Sequence, residues 1–226
     1  MAEHAGLIQL TAPTELRIGQ PAALAPAERL RLIRRAKLLA WGGNAWHLIE
    51  FAIAVGAGIA AGSVALIGFG ADSLIEASSG LVIVWLLTGR RLESQRAERR
   101  SQQLVAGSYA LLVAYILVES TRTLIGAHHP AASWVGVGLA AFTAPTMPLL
   151  ARAKRNVGLK LNSAATVSEA AQNQICAYLS TALLVGLLTN ALLGWWWADP
   201  AAALIIAAVA GREGWASWKG KSCECC

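Results

Sequence analysis

Two carboxylates stand four residues apart in Asp72-Ser73-Leu74-Ile75-Glu76, inside an otherwise apolar stretch. Positions i and i+4 share one face of an α-helix, about one turn apart. Two such groups buried side by side repel unless a proton or a cation sits between them, and a divalent cation is their natural partner. A pair snorkelling to a membrane interface is the plain alternative, but Asp72 and Glu76 fall near the middle of the stretch. A second stripe, Glu169, Gln172, Asn173 and Cys176, follows the spacing of a single helix face. Glu169 and Cys176 can supply negative ligands there, and Gln172 and Asn173 carbonyl oxygens, although a lone buried cysteine is ordinarily an inert small hydrophobe. A third and weaker stripe, Asn44, His47 and Glu50, suits either an ion or proton path or hydrogen bonds between packed helices.

The elements that carry these stripes are long and apolar. Of 226 residues, 56% are hydrophobic and 14% charged, against the roughly 25% charged that a soluble domain carries. That composition excludes a disordered chain, a disulfide scaffold and an ordinary soluble enzyme. A helix crossing ~30 Å of hydrocarbon needs about 20 apolar residues, and six stretches qualify, running roughly over 38–60, 64–88, 103–125, 131–151, 164–194 and 197–212. The sequence therefore predicts an all-α, polytopic membrane protein, a bundle of six transmembrane helices. Residues 1–30 form a cytoplasmic arm, 31–215 the membrane domain and 216–226 a short Cys-rich cytoplasmic tail. The first 30 residues lack a signal peptide's basic, apolar and small-residue pattern. Trp195, Trp196 and Trp197 beside Asp199-Pro200 read as an interfacial turn between the last two spans. With six spans, all of the 19 lysines and arginines except Arg122 fall on one side, which places both termini in the cytoplasm.

Other polar residues have plainer readings. Glu119 and Arg122 at i, i+3 make a local ion pair. His128 and His129 read as solvated in an outer loop. Gly58 and Gly62 have GxxxG spacing, which serves close helix contact, or else are generic small membrane residues. Cys223, Cys225 and Cys226 form a clustered thiol tail that can capture a soft metal, or a dispensable end. The net charge of +6 is met by anionic lipid, and no nucleic-acid partner is implied. No P-loop, GxGxxG, GxSxG or HExxH pattern is present.

The run Ser63-Val64-Ala65-Leu66-Ile67-Gly68-Phe69-Gly70-Ala71-Asp72-Ser73-Leu74-Ile75-Glu76 resembles the second-span signature of the cation diffusion facilitators, with Glu76 in place of the usual aspartate. Ala198-Asp199-Pro200 resembles that family's start of span six, and the resemblance covers about residues 30–215. It implies a six-span bundle of the cation-efflux type that is not an enzyme. It further implies a homodimer in the lipid bilayer of a plasma (bacterial inner) membrane, exporting a divalent metal from the cytoplasm against protons. No permanent cofactor is implied; the cargo is zinc, cadmium, cobalt or a softer ion. In span five the family's histidine and aspartate are replaced by Gln172 and Cys176, and Glu169 matches its preceding acid. The ligand set implied is Asp72, Glu76, Gln172 and Cys176, with Glu169, Asn173, Glu50 and His47 along an ion path. Amide and thiol in place of imidazole and carboxylate soften the site. The competing readings are a non-transporting membrane metal sensor or partner subunit and, after it, a membrane thiol redox protein built on the tail cysteines.

Overall fold

The computed structural model describes residues 25–86, 95–126 and 129–219, and among these six helices form and no strand. They are α1 (Pro26–Ala61), α2 (Val64–Leu86), α3 (Gln95–Gly126), α4 (Trp134–Leu161), α5 (Ala164–Leu193) and α6 (Ala198–Trp218). Pro26 opens α1 at the first helical position, where its missing N–H costs nothing. Among the described residues, five helices are long and apolar enough to cross a membrane. Asp199, Arg212 and Glu213 dilute the apolar stretch of α6, yet its 21 residues reach about 31 Å, a full hydrocarbon thickness.

Two turns of the same design fold helices back on their successors. After α1, Gly62 adopts the left-handed conformation and Ser63 accepts from the backbone N–H of Leu66, capping α2. After α4, Asn162 does the same and Ser163 accepts from Thr166 N–H, capping α5. Each turn also needs a glycine four residues before the left-handed residue. A Cβ on Gly58 would lie 2.7 Å from Ile67 Cγ1, and one on Gly158 2.9 Å from Val167 Cγ2. The GxxxG pair thus divides its work: Gly58 permits a close helix crossing, whereas Gly62 faces open space and serves through its positive φ of 66°. Gly58→Val is expected to lower stability by about 1–3 kcal/mol, the usual cost of overpacking. The check is the thermal midpoint in detergent, with Gly42→Val, at a position that meets nothing within 4 Å, as the silent control.

At one end of the bundle lie the α1–α2 turn, the start of α4 and the α5–α6 turn. Ala131 N–H donates to Ala61 O at 2.8 Å, Asn190 Nδ2 to Pro130 O at 3.0 Å, and His129 stacks on Trp196 with centroids 5.0 Å apart. Trp195 and Trp197 are half exposed there and stack on each other, as an interfacial turn requires. The opposite end holds the basic start of α1 and the α4–α5 turn, joined by Leu32, Ala36 and Val157. Between the ends, the main core runs through Phe69, Ile116, Leu183 and Ile206.

Several helices overrun the apolar stretches read from the sequence: α1 begins at Pro26 and not near 38, α3 at Gln95 and not near 103, and α6 ends at Trp218 and not near 212; the overrun of α4 matters most. The fourth apolar stretch ends near 151, with Lys154 in a basic loop; α4 instead continues to Leu161 and buries Lys154 to 1% exposure. The reason is pairing: Lys154 Nζ donates to Glu169 Oε1 at 2.6 Å, so the charge enters the bundle already compensated. Pro145 and Pro148 lie inside α4 without ending it, as membrane helices tolerate.

Candidate metal centre

α1, α2 and α5 each bring one donor to the middle of the bundle. A nitrogen of His47, a carboxylate oxygen of Glu76 and Sγ of Cys176 all lie within 4.8 Å of one another, and all three side chains are buried. Glu76 Oε2 lies 3.2 Å from His47 Nδ1, yet no hydrogen bond reaches it in good alignment. A buried carboxylate oxygen left in that state carries a desolvation cost that a bound cation removes.

Neighbouring groups orient the imidazole. Asn173 Nδ2 donates to His47 Nε2 at 2.9 Å, which leaves the ring proton on Nδ1, facing Glu50 Oε2 at 3.3 Å. Glu50 is fully buried and accepts from the hydroxyls of Ser73 on α2 and Thr143 on α4. It therefore ties three helices together and backs the histidine. Asn173 Oδ1 has no donor. Rotating that amide would present Oδ1 to an Nε2 proton and free the Nδ1 lone pair for a cation.

The stripes read from the sequence are thus drawn together unequally. Glu76 and Cys176 meet, and His47 from the weakest stripe joins them. Asp72 shares the face of Glu76 but lies a turn earlier in α2, within hydrogen-bonding reach of the Tyr109 hydroxyl on α3. Gln172 Oε1 is engaged by the Ser79 hydroxyl at 2.9 Å. Glu169 faces Lys154 rather than the cluster, and Asn173 supports His47 rather than reaching the centre through a carbonyl. Glu119 and Arg122 form their local pair at 2.7 Å. Cys223, Cys225, Cys226 and His128 lie outside the described residues.

Two participants escaped the sequence reading. Thr143 and Lys154 both stand on the buried face of α4, which runs Gly136, Leu139, Ala140, Thr143, Met147, Ala151, Lys154 and Val157. The steps of three and four residues from Ala140 through Thr143, Met147, Ala151 and Lys154 to Val157 were the available signal. It carries through the basic segment without a break and so marks Lys154 as inward-facing.

The transmembrane-domain model of the cation efflux proteins matches residues 46–219 of this chain. The chain belongs to the cation efflux family. It is accordingly a multi-pass membrane protein and a metal cation transporter, from a family of transporters rather than enzymes. A search among curated proteins returns no match. The matched segment of this cation efflux protein begins one residue before His47 and takes in every described residue of the cluster.

Proposed function

We propose that this cation efflux protein exports a divalent, thiophilic metal ion from the cytoplasm in exchange for protons, with both termini cytoplasmic and a homodimer as the working unit. The observation that carries the reading is the trio His47, Glu76 and Cys176, three different donor chemistries from three helices, buried together around a carboxylate oxygen without a hydrogen bond. Imidazole nitrogen, carboxylate oxygen and thiolate sulfur suit borderline and soft ions such as zinc, cadmium or cobalt better than magnesium or calcium.

A thiol and a carboxylic acid bind a metal only after losing their protons, so loading releases protons and reprotonation releases the metal. Glu50 lies against Nδ1 of His47 and holds the ring; the imidazole stays neutral with its proton on Nε2 when Nδ1 meets the cation, so the protons exchanged are those of the thiol and the carboxylic acids. Asp72, one turn along α2 toward the end that holds the α1–α2 turn, offers the next carboxylate along the path. Release on that side follows when protons arriving there neutralise the ligands, and rocking of one helix group against another alternates the access.

The test is flux into sealed proteoliposomes with a panel of Zn, Cd, Co, Mn, Fe and Cu, with and without a pH gradient. Zn or Cd is expected to move fastest and to follow the imposed proton gradient. Cys176→Asp is expected to shift the preference toward Co and Mn, because a hard oxygen replaces a soft sulfur. Flux indifferent to the gradient defeats the antiport, and an unchanged metal order in Cys176→Asp defeats the thiolate ligand.

A further inference from the structure

A second polar node lies between the metal centre and the basic end of the bundle, and four helices build it. Glu169 on α5 stands two helical turns before Cys176, Asn44 on α1 one turn before His47, and Gly80 on α2 one turn after Glu76. Lys154 on α4 completes it, with Nζ 2.6 Å from Glu169 Oε1 and both side chains at most 5% exposed. Neither end of the Asn44 amide has a hydrogen-bond partner, although the residue is only 2% exposed. Its Oδ1 would lie 2.0 Å from a Cβ on Gly80, and Glu169 Oε1 would lie 3.1 Å from the same Cβ. The two oxygens thus crowd one point. On the other side, a Cβ on Gly43 would meet Lys154 Nζ at 2.9 Å.

This arrangement is costly as architecture alone. A buried ion pair seldom stabilises more than apolar residues of similar size would, and an unpartnered buried amide loses the hydrogen bonds that water would give it. Two glycines keep space around the groups that incur these costs. An ion pair inside a membrane bundle ordinarily marks an ion's path.

We infer that Glu169 and Asn44 Oδ1 form a second station for the transported divalent cation, which the Lys154 ammonium occupies as a tethered substitute until a cation displaces it. The donors are a carboxylate and an amide oxygen, so the station takes divalent cations of the class carried by the deeper centre but without its sulfur selectivity. Lys154 balances Glu169 while the path is empty and withdraws when a more strongly charged ion arrives. The station rests on the transport reading for its purpose, but its ligands are separate from those of the deeper centre.

The experiment is Zn2+ binding at equilibrium to the full chain purified in detergent. The parent is expected to bind one ion tightly, because Lys154 competes at the second station. Lys154→Met removes the competitor and is expected to bind two. Lys154→Met with Glu169→Gln is expected to return to one. Lys154→Met with Glu76→Gln and Cys176→Ser is expected to keep one ion, which separates this inference from the assignment of the deeper centre. If the parent binds none and Lys154→Met binds one that Glu169→Gln removes, the deeper centre is wrong and this station stands. A stoichiometry unchanged in Lys154→Met, or a second ion that survives Glu169→Gln, overturns the inference. Gly80→Ala supplies an independent reading with every charge retained, because its methyl group intrudes on both oxygens. Zn2+ flux is expected to fall at least tenfold with the affinity of the deeper centre unchanged; flux equal to the parent's overturns the inference as well.

Discussion

Glu76→Gln is expected to abolish measurable metal flux, a larger loss than any other single substitution at the centre produces. The change keeps the size of the side chain and removes one negative charge from a group that lies against both His47 and Cys176. A supporting hydrogen-bond partner of a metal ligand costs roughly 10–100-fold in affinity when removed, and a charged ligand that meets the ion directly costs more. The bundle should survive, since Glu76 Oε2 has no aligned partner to lose, the Cys176 thiol within hydrogen-bonding reach of the carboxyl can donate to the amide oxygen instead, and a neutral replacement relieves the burial of a carboxylate. Gln172→Ala is the informative contrast. The Gln172 oxygen is held by Ser79, so its removal is expected to lower flux by less than about tenfold, the lower end of a supporting role. Zn2+ flux into proteoliposomes at matched protein density decides between them. Near-normal flux in Glu76→Gln with loss in Gln172→Ala would move the ion to the α2–α5 contact near Ser79.

Asp199→Ala is expected to cause the largest loss of stability. The Asp199 carboxylate is fully buried at the start of α6, where it reaches across to the first turn of α2. It accepts from Val64 N–H at 2.9 Å, from Ala65 N–H at 3.3 Å and from the Ser63 hydroxyl. Those backbone groups belong to the N-terminus of α2, whose partial positive charge favours an anion. Removing the carboxylate orphans three buried donors at about 1–3 kcal/mol each, so a net cost of roughly 3–5 kcal/mol follows after partial relaxation. Asp199→Asn keeps an acceptor oxygen and should cost about half as much. The readout is the thermal midpoint in detergent together with Zn2+ affinity of the folded fraction. A lowered midpoint with unchanged affinity is the expected pair. Unchanged stability in Asp199→Ala would mean that α2 is anchored by its apolar contacts alone.

Both predictions turn on residues whose presence the sequence announces and whose partners it conceals. Long apolar runs are a local property, so the existence of six helices and their approximate bounds could be read directly. So could the shared face of Asp72 and Glu76 and the stripe ending at Cys176, because helical spacing is fixed by backbone geometry. The second-span motif identified the family for the same reason. Contacts between helices have no such local rule. They depend on how each helix is rotated and how far it slides along its neighbours, and close approaches at Gly58, Gly80 and Gly158 settle that here. Tertiary packing alone brought His47 to Glu76 and Cys176, engaged Gln172 with Ser79, carried Lys154 inward to Glu169, and sent Asp199 from its interfacial turn to the start of α2. The chain by itself determined that carboxylates, amides, a histidine and a thiol must enter the membrane, but not that Lys154 joins them. Only the folded bundle decided which of them neutralise one another and which are left to meet an ion, because a buried charge is defined by the partner within a few ångströms and not by its neighbours in sequence.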